Sequence, residues 1–148
     1  MYKHILIPTD GSKLAAKGVK AGVSLARALG ARVTGVYVIA PYMPPVYGEG
    51  IVYVPGRSPQ EYKKLSEQQA KKALAAVEIE TQTARVPYAT RFLVQRQPWQ
   101  GILKAARARK CDAIVMASHG RGGLGGLILG SATTRVLANS KIPVLVVR

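Results

Sequence analysis

The sequence predicts an α/β fold in which an open five-stranded parallel sheet carries helices on both faces. Short apolar runs rich in β-branched residues alternate along the chain with segments whose apolar residues recur every three or four positions. The first run is apolar through its centre, which is typical of a strand buried on both faces of a parallel sheet. Because 148 residues suit one domain, we expect residues 1–148 to form a single domain.

The first half of the chain divides into two strands, a helix and a long connection. The run KHILIPTD is a strand that stops at Pro8, and Ser12 to Leu29 is an amphipathic helix closed by Gly30. Ala31 to Ile39 is the second strand. The segment Ala40 to Pro59 contains five of the nine prolines, and its role is open between a lid, a binding loop and a disordered connection. The expected inner face of the helix consists of Leu14, Gly18, Ala21, Gly22, Leu25 and Leu29.

The second half contains three further helices and three further strands. In chain order these are a helix from Gln60 to about Glu80, a strand from Tyr88 to Gln95, a helix with Pro98 in its first turn, a strand from Cys111 to Ser118, a helix from Ser131 to Asn139 and a strand from Ile142 to Arg148. The residues expected to bring the first of these helices onto the core are Tyr62, Leu65, Ala73, Leu74 and Val77.

The chain is strongly basic, with 22 Lys and Arg against 7 Asp and Glu and a net charge of +15. Such a charge favours polyanionic partners, which include nucleic acid, nucleotides and anionic lipid. The densest cluster is KAARARK, Lys104 to Lys110, on a predicted helix. It is either a solvated basic face or a polyanion site.

The number of cysteines and the hydropathy pattern indicate the cellular compartment of the protein. The single cysteine, Cys111, excludes an internal disulfide, and the short apolar run before Asp10 does not have the form of a signal peptide. No stretch approaches the roughly 18 apolar residues of a membrane-spanning helix. We therefore expect a cytoplasmic protein without a membrane segment.

The loop HGRGGLGGLILGS contains the pattern GxGxxG at Gly120, Gly122 and Gly125. In the dinucleotide-binding fold this pattern follows the first strand and precedes an acidic residue by about 20 positions. Here it follows the fourth strand, and no Asp or Glu follows Asp112. The pattern is therefore not a dinucleotide fingerprint, and the phosphate-loop pattern GxxxxGK[ST] fails because the lysine is absent.

The helix that follows this loop remains a candidate anion site. Its first N–H groups have no partner within the helix, and they carry the positive end of the helix dipole, so they can receive phosphate oxygens. The alternative is that Ser131 merely caps the helix while the glycines provide turns.

No residue has the pattern of a catalyst or a metal ligand. His4 opens a strand, and His119 lies in the glycine loop without an evident orienting carboxylate. Cys111 precedes an apolar strand and is expected to be a buried small residue. Two histidines and one cysteine far apart in the sequence do not indicate a zinc site. We expect neither a catalytic residue nor a bound metal in the protein itself.

Four segments together identify a family resemblance. They are ILIPTDGS, CDAIVMASHGRGG, LGSATTRVL and PVLVV, and through them the chain resembles the universal stress protein family over essentially its whole length. The resemblance implies a flavodoxin-like or Rossmann-like fold of the adenine nucleotide alpha hydrolase-like type. Nucleotide-binding members have GxxG, nine residues, and then G[ST]. This chain has Ala117 in place of the first glycine, then Gly120, nine residues from Arg121 to Leu129, and Gly130 with Ser131.

The resemblance implies that the protein binds ATP, with or without Mg²⁺, as a regulatory ligand in stress response and hydrolyses it slowly at most. Asp10 would accept hydrogen bonds from the sugar, although capping of the first helix is open as its alternative role. Val38 and Met116 would flank the base, or are plain core residues. The Ala117 methyl group would lie beside the ribose. The implied nucleotide-binding residues are Pro8, Thr9, Asp10, Val38, Met116, Ala117, Gly120, Arg121, Gly130, Ser131, Ala132 and Thr133.

The last apolar run predicts an oligomer. If this strand lies at a sheet edge, it exposes unpaired backbone groups that proteins usually cover or pair. We therefore expect a homodimer formed through Ile142 to Val147, which the resemblance also implies.

Two other functions stay open beside ATP binding. One is a dimeric interaction protein with the same fold and an idle nucleotide site. The other is a nucleic-acid-binding module, although Trp99 and Phe92 are too few for a base-stacking platform.

Overall fold

The structure is a computed structural model, and it describes residues 1–44, 56, 58–119 and 129–148. It confirms the predicted α/β fold, with the expected order of helices and strands. Most of the segment expected to be a long loop, namely residues 45–55 and 57, lies outside the described residues. The elements are β1 (His4–Pro8), α1 (Lys13–Leu29), β2 (Arg32–Ile39), α2 (Pro59–Thr83), β3 (Tyr88–Val94), α3 (Pro98–Ala108), β4 (Ala113–Ala117), α4 (Ser131–Asn139) and β5 (Val144–Val147).

The five strands form one parallel sheet in the order β3-β2-β1-β4-β5. This is the beginning of the Rossmann strand order, so of the two expected fold types the Rossmann-like one describes the topology. The chain runs outward from β1 to β3 and then crosses back to β4 on the other side of β1. The direction therefore reverses between β1 and β4, and open α/β sheets bind ligands outside the carboxyl ends of the strands at such a point.

Two helices cover each face of the sheet. The side chains of Ile5 and Ile7 in β1 pack with α1, whereas Leu6 between them packs with α3 and α4. All three are completely buried, and each such burial stabilises the fold by roughly 1.5–3 kcal/mol. Successive side chains of β1 point to opposite faces of the sheet, and helices cover both faces. One apolar run therefore contributes to two separate cores.

The inner face of α1 differs from the expected one. Gly18 and Gly22 are buried as predicted, but the four other expected residues are only half-buried, and the face is completed by Ala15, Val19, Val23 and Ala26. A Cβ atom on Gly22 would lie 2.6 Å from Cδ1 of Ile7. The helix thus approaches the sheet along its smallest residues, and the larger leucines fill the margins of the contact.

The contact of α2 with the sheet begins later in the helix than expected. The residues Ala73, Leu74 and Val77 are buried as predicted, but Leu65 is 38% exposed because the buried residues of α2 begin only at Ala70. Tyr62 is half-buried, and its hydroxyl group donates a hydrogen bond to the carbonyl oxygen of Ala40 (2.7 Å).

A glycine in β2 allows α2 to pack this closely. A Cβ atom on Gly35 would lie 2.9 Å from Cγ1 and 3.2 Å from Cβ of Val77. Because Cβ of Val77 is itself too near, rotation of that side chain cannot relieve the contact. An added Cβ atom at position 35 would therefore require α2 to shift slightly or Val77 to lose its Cγ1 methyl group.

The amino ends of β1 and β4 are joined by polar contacts. The Asp112 carboxylate accepts hydrogen bonds from the backbone N–H groups of Lys3 (2.8 Å) and His4 (3.0 Å). These bonds outweigh burial, which by itself would raise the pKa of Asp112, and they hold that pKa below its usual value. The buried His4 ring lies with Nε2 2.8 Å from Oγ1 of Thr34. Burial, together with the nearby charge of Arg32, lowers the pKa of His4.

We expect His4 to make the stability of the protein depend on pH. In the unfolded chain His4 takes up a proton near pH 6.5, whereas in the folded chain it resists protonation to a lower pH. The unfolded state therefore binds more protons between these two values, and the stabilisation present above pH 6.5 is lost as the pH falls through the folded pKa.

Urea unfolding of the wild-type protein and of His4→Gln between pH 8 and pH 5 measures this effect. The free energy of unfolding of the wild type should fall relative to that of the variant, by at most about 1.4 kcal/mol per pH unit. His119 is present in both proteins, so its contribution cancels in the difference between the two free energies of unfolding. Parallel pH profiles would contradict the assignment.

The contact between Gly35 and Val77 can be tested by a double-mutant cycle. Gly35→Ala should destabilise the fold by roughly 1–3 kcal/mol through overpacking, and Val77→Ala by a similar amount through the cavity it leaves. The double variant should be more stable than the sum of the two losses by at least about 0.5 kcal/mol, because the smaller residue 77 accepts the new methyl group. Strictly additive losses in urea unfolding would show that the two residues do not oppose each other.

Candidate functional site

The turn after β1 is folded by its own polar side chains. Oγ1 of Thr9 accepts a hydrogen bond from the N–H group of Gly11 (3.2 Å), which has a φ of 79°. Oδ1 of Asp10 accepts from the N–H group of Ser12 (2.9 Å). Ser12 is the N-cap of α1, and its side chain accepts from Ala15. Asp10 therefore does not cap the helix, and its carboxylate is held on the turn at the carboxyl end of β1.

The end of β4 is tied to its neighbours by backbone hydrogen bonds. The N–H group of Ser118 donates to the carbonyl oxygen of Val147 in β5 (2.8 Å), and the N–H group of Gly130 donates to the carbonyl oxygen of Ser118 (2.8 Å). A Cβ atom on Gly130 would lie 3.2 Å from Cα of His119. The start of α4 thus lies directly against the end of β4, at a distance that suits glycine.

Among the described residues, no side chain caps the first turn of α4. Gly130 is the N-cap residue, with an extended backbone (φ −60°, ψ 150°), and Ser131 is the first helical residue. The alternative that Ser131 caps the helix is therefore excluded, since a cap residue needs the extended backbone that Gly130 adopts. Thr134 donates the first hydrogen bond of the helix, to the carbonyl oxygen of Gly130 (2.9 Å). The N–H groups of residues 131–133 precede that bond.

Thr133 links α4 to β4 from inside the protein. Its side chain is 2% exposed, and its hydroxyl group donates to the carbonyl oxygen of Ala117 (3.1 Å). A phosphate contact by Thr133 would therefore have to come from its backbone N–H group. The neighbouring Ser131 is exposed and Ala132 is half-buried.

The Ala117 methyl group lies on the α1 face of the sheet. Alternation along β4 places its Cβ on the same face as Ala113 and Val115, which pack with α1. A Cβ atom on Gly18 of α1 would lie 3.0 Å from the backbone nitrogen of Ala117, and Ala117 itself is 7% exposed. The extra methyl group of this sequence is thus largely covered by protein.

The two residues expected to flank a base lie on the opposite face. Met116 is 6% exposed and belongs to the core beneath α3 and α4, against which the half-buried Val38 also packs. A Cβ atom on Gly101 of α3 would lie 2.8 Å from both methyl groups of Val38. Gly101 therefore positions Val38, a role that sequence reasoning missed. The available signal was a glycine inside a helix otherwise rich in good helix formers.

The structure brings most of the predicted nucleotide residues to one edge of the sheet. Pro8 to Asp10 end β1, Val38 lies near the end of β2, and Met116 with Ala117 ends β4. Because β1 is hydrogen-bonded to both β2 and β4, these strand ends are neighbours, and α4 begins beside them. Gly120 and Arg121 lie outside the described residues.

Further residues with reactive side chains are Cys111, Ser118 and His119. Burial raises the pKa of the Cys111 thiol to about 11, as expected for a structural cysteine. Oγ of Ser118 lies 3.0 Å from Nδ1 of His119. Within the described parts of the chain, no three His, Cys, Asp or Glu residues cluster as metal ligands, and no helix is long and apolar enough to cross a membrane.

The whole chain matches a known family. The sequence profile of the universal stress protein family matches residues 1–148. The chain belongs to the universal stress protein family. A universal stress protein of Thermus aquaticus, from the 3′ region of QAH/OAS sulfhydrylase, is 35% identical over 148 residues, which are 100% of both chains. Universal stress protein MJ0531 of Methanocaldococcus jannaschii is 32% identical over an alignment of 149 positions, which covers 100% of this chain and 83% of the relative.

Solved universal stress protein structures have the same fold. UspA from Lactobacillus plantarum superposes with a TM-score of 0.78 at 23% identity, over 99% of this chain and 98% of the other. A universal stress protein in complex with cAMP has a TM-score of 0.71 at 23% identity (99% and 97% covered). One from Archaeoglobus fulgidus in complex with dAMP has a TM-score of 0.71 at 19% identity (99% and 98% covered). Two universal stress proteins of this fold therefore bind adenine nucleotides.

Proposed function

We propose that this universal stress protein binds ATP as a regulatory ligand in stress response, at the carboxyl ends of β1 and β4, and hydrolyses it slowly at most. The observation that carries the proposal is the uncapped first turn of α4, which lies against the end of β4 at the point where the strand order reverses. Such a turn offers N–H groups and a positive dipole end to phosphates. The cAMP and dAMP complexes of two relatives support an adenine nucleotide as the ligand.

The hydrogen bonds at the start of α4 limit which groups could bind the phosphates. The N–H group of Gly130 already donates to Ser118, so the phosphates would receive the N–H groups of residues 131–133. Ser131 would add an exposed hydroxyl group, whereas the hydroxyl group of Thr133 is occupied by Ala117. Gly120 and Arg121 complete the phosphate side of the proposal, and Mg²⁺ would enter with the phosphates.

The base and the sugar would lie on the β1 side of the same edge. Pro8 and Thr9 would border the adenine and the ribose, with Val38 and Met116 against the base. The Asp10 carboxylate would accept hydrogen bonds from the ribose hydroxyl groups. Its contact with Ser12 uses Oδ1 and keeps the carboxylate on the turn, which orients the proposed acceptor.

Regulation rather than turnover suits the positions of Cys111 and His4. Cys111 is buried, with a pKa of about 11, and His4 lies at the amino ends of the strands, away from the proposed site. A cytoplasmic location belongs to the same proposal and is supported by the single, buried cysteine.

Isothermal titration calorimetry with ATP and Mg²⁺ tests the proposal. The wild type should bind, and Asp10→Asn should bind about tenfold more weakly, because the variant keeps an acceptor for Ser12 but loses the charged acceptor for the ribose. Glu67→Ala, which removes a carboxylate from α2, is the control and should bind as the wild type does. Absence of adenine-nucleotide binding by the wild type would refute the proposal.

The second candidate is a dimeric interaction protein whose nucleotide site is idle. The departure from the family motif at Ala117 is the observation that favours it. In the same calorimetry, Ala117→Gly distinguishes the two candidates. Because the methyl group is largely covered by protein, the ATP-binding proposal expects a change in affinity below about threefold. A gain of binding that the wild type lacks would establish the idle site instead.

We also propose a homodimer formed through Ile142 to Val147. The strand β5 lies at the edge of the sheet, as the dimer requires, and its Leu145 is 48% exposed. An edge strand of this kind offers unpaired N–H and C=O groups beside apolar side chains.

Analytical ultracentrifugation at micromolar concentration tests the dimer. The wild type should sediment as a dimer, and Leu145→Lys should shift it toward monomer, because a charge replaces an apolar contact. The control is Val94→Lys on the opposite edge strand, where Val94 is 57% exposed; that variant should remain a dimer. A wild-type monomer under these conditions would contradict the interface.

A further inference from the structure

The exposed side of α1 carries a row of cations. Lys13, Lys17, Lys20 and Arg27 are all exposed, and at 3.6 residues per turn they fall within roughly 80° of arc on the helix. The row extends about 21 Å at 1.5 Å per residue. The buried side of α1 points the opposite way, so this row, the α1 basic face, points to solvent.

Within α1 itself, no acidic residue compensates the charges of the α1 basic face. The helix contains no acidic residue, in its first turn or elsewhere. Like charges at i and i+4, as at Lys13 and Lys17, destabilise a helix, and cations near its N-terminus oppose the helix dipole. The arrangement therefore costs helix stability and has no compensating interaction within the helix.

Other basic segments of the chain do not share this property. In α2 the cations Lys63, Lys64 and Lys71 alternate with Glu61 and Glu67, at spacings that allow pairing along the helix. They line a groove of about 340 Å³ together with Gln60, Glu67 and Gln68.

The cluster KAARARK, which is the densest basic run of the sequence, is interrupted in the folded protein. Lys104 and Arg107 are exposed on α3, but the helix ends at Ala108, Arg109 is half-buried and Lys110 has a φ of 53°, so the cluster does not continue as one helical row.

We infer that the α1 basic face is a contact surface for the phosphate backbone of double-stranded nucleic acid, bound without regard to sequence. Lys and Arg in a row match a duplex, which carries about one negative charge per 1.7 Å of its axis. The other exposed residues of α1, Ser24 and Ala28, are small, so nothing holds a phosphate backbone away from the cations.

Other polyanionic partners fit this face less well. A helix that lies on a membrane inserts apolar side chains, and α1 contributes none of the large apolar residues that are exposed in the described part of the chain. Protein partners are anchored by aromatic or other large side chains at the interface centre. Single strands stack their bases on aromatic rings. The α1 basic face has none of these and offers cations alone, which is the chemistry of backbone contact.

Fluorescence anisotropy with a labelled 20-base-pair duplex tests the inference on the full-length protein. The triple variant Lys13→Gln, Lys17→Gln, Lys20→Gln should bind at least about tenfold more weakly, with a salt dependence shallower by about three in log K against log salt. The matched control is Lys63→Gln, Lys64→Gln, Lys71→Gln, which removes the same charge from α2 and should bind within about threefold of the wild type. The α1 variant should melt at the wild-type temperature or above, since like-charge repulsion is removed.

The outcomes separate this inference from its competitors and from the proposed ATP site. Equal weakening by both triple variants would show that net charge alone acts, and no wild-type binding at low salt would exclude nucleic acid. Loss of binding to phosphatidylserine vesicles, with duplex binding unchanged, would assign the face to membranes. The α1 variant should titrate with ATP as the wild type does. If the wild type binds the duplex but does not bind ATP, this inference is supported and the proposed function is refuted.

Discussion

The position of β1 in the middle of the sheet is the constraint on which the rest of the structure depends. It is hydrogen-bonded to β2 on one edge and to β4 on the other, and its side chains Ile5, Leu6 and Ile7 are completely buried on the two faces. Because the chain leaves β1 toward β2 and returns on the other side as β4, the carboxyl ends of these strands form the point where the order reverses. The proposed nucleotide site, the packing of α1 and the contact between β4 and α4 all follow from that arrangement.

The polar residues at this edge show how local structure prepares a site. Thr9 and Asp10 hold the turn that begins α1, so their side chains are oriented before any ligand is present. After the neighbouring strand β4, by contrast, no side chain of the described residues caps the first turn of α4. A turn satisfied by its own side chains beside a helix end with N–H groups to offer has the polarity that a sugar phosphate requires.

The charged residues are distributed differently on α1 and on α2. α2 combines its lysines with glutamates, whereas α1 combines its cations with small neutral residues. A net charge of +15 would by itself indicate only an attraction to polyanions. Because α1 lacks acidic residues and α2 on the same face of the sheet has them, the inference concerns α1 alone. The lysines of α2 then serve as the matched control.

The sequence by itself determined the order of the elements, the parallel sheet and the family. These depend on local patterns: the apolar runs, the glycine at Gly30 that ends α1 with a φ of 63°, and the spacing from Gly120 to Ser131. The residues named for the site were implied by the family resemblance, and the structure places most of them at the ends of strands. Their ligand stays a proposal, since strand ends alone do not specify what binds there.

Only the tertiary structure decided which atoms those residues still offer. Gly130 rather than Ser131 is the N-cap of α4, the hydroxyl group of Thr133 is taken by Ala117, and Gly101 positions Val38. The inner face of α1 was likewise decided by the approach of Gly18 and Gly22 to the strands beneath them. Each of these results depends on distances between segments far apart in the chain, which no local periodicity encodes.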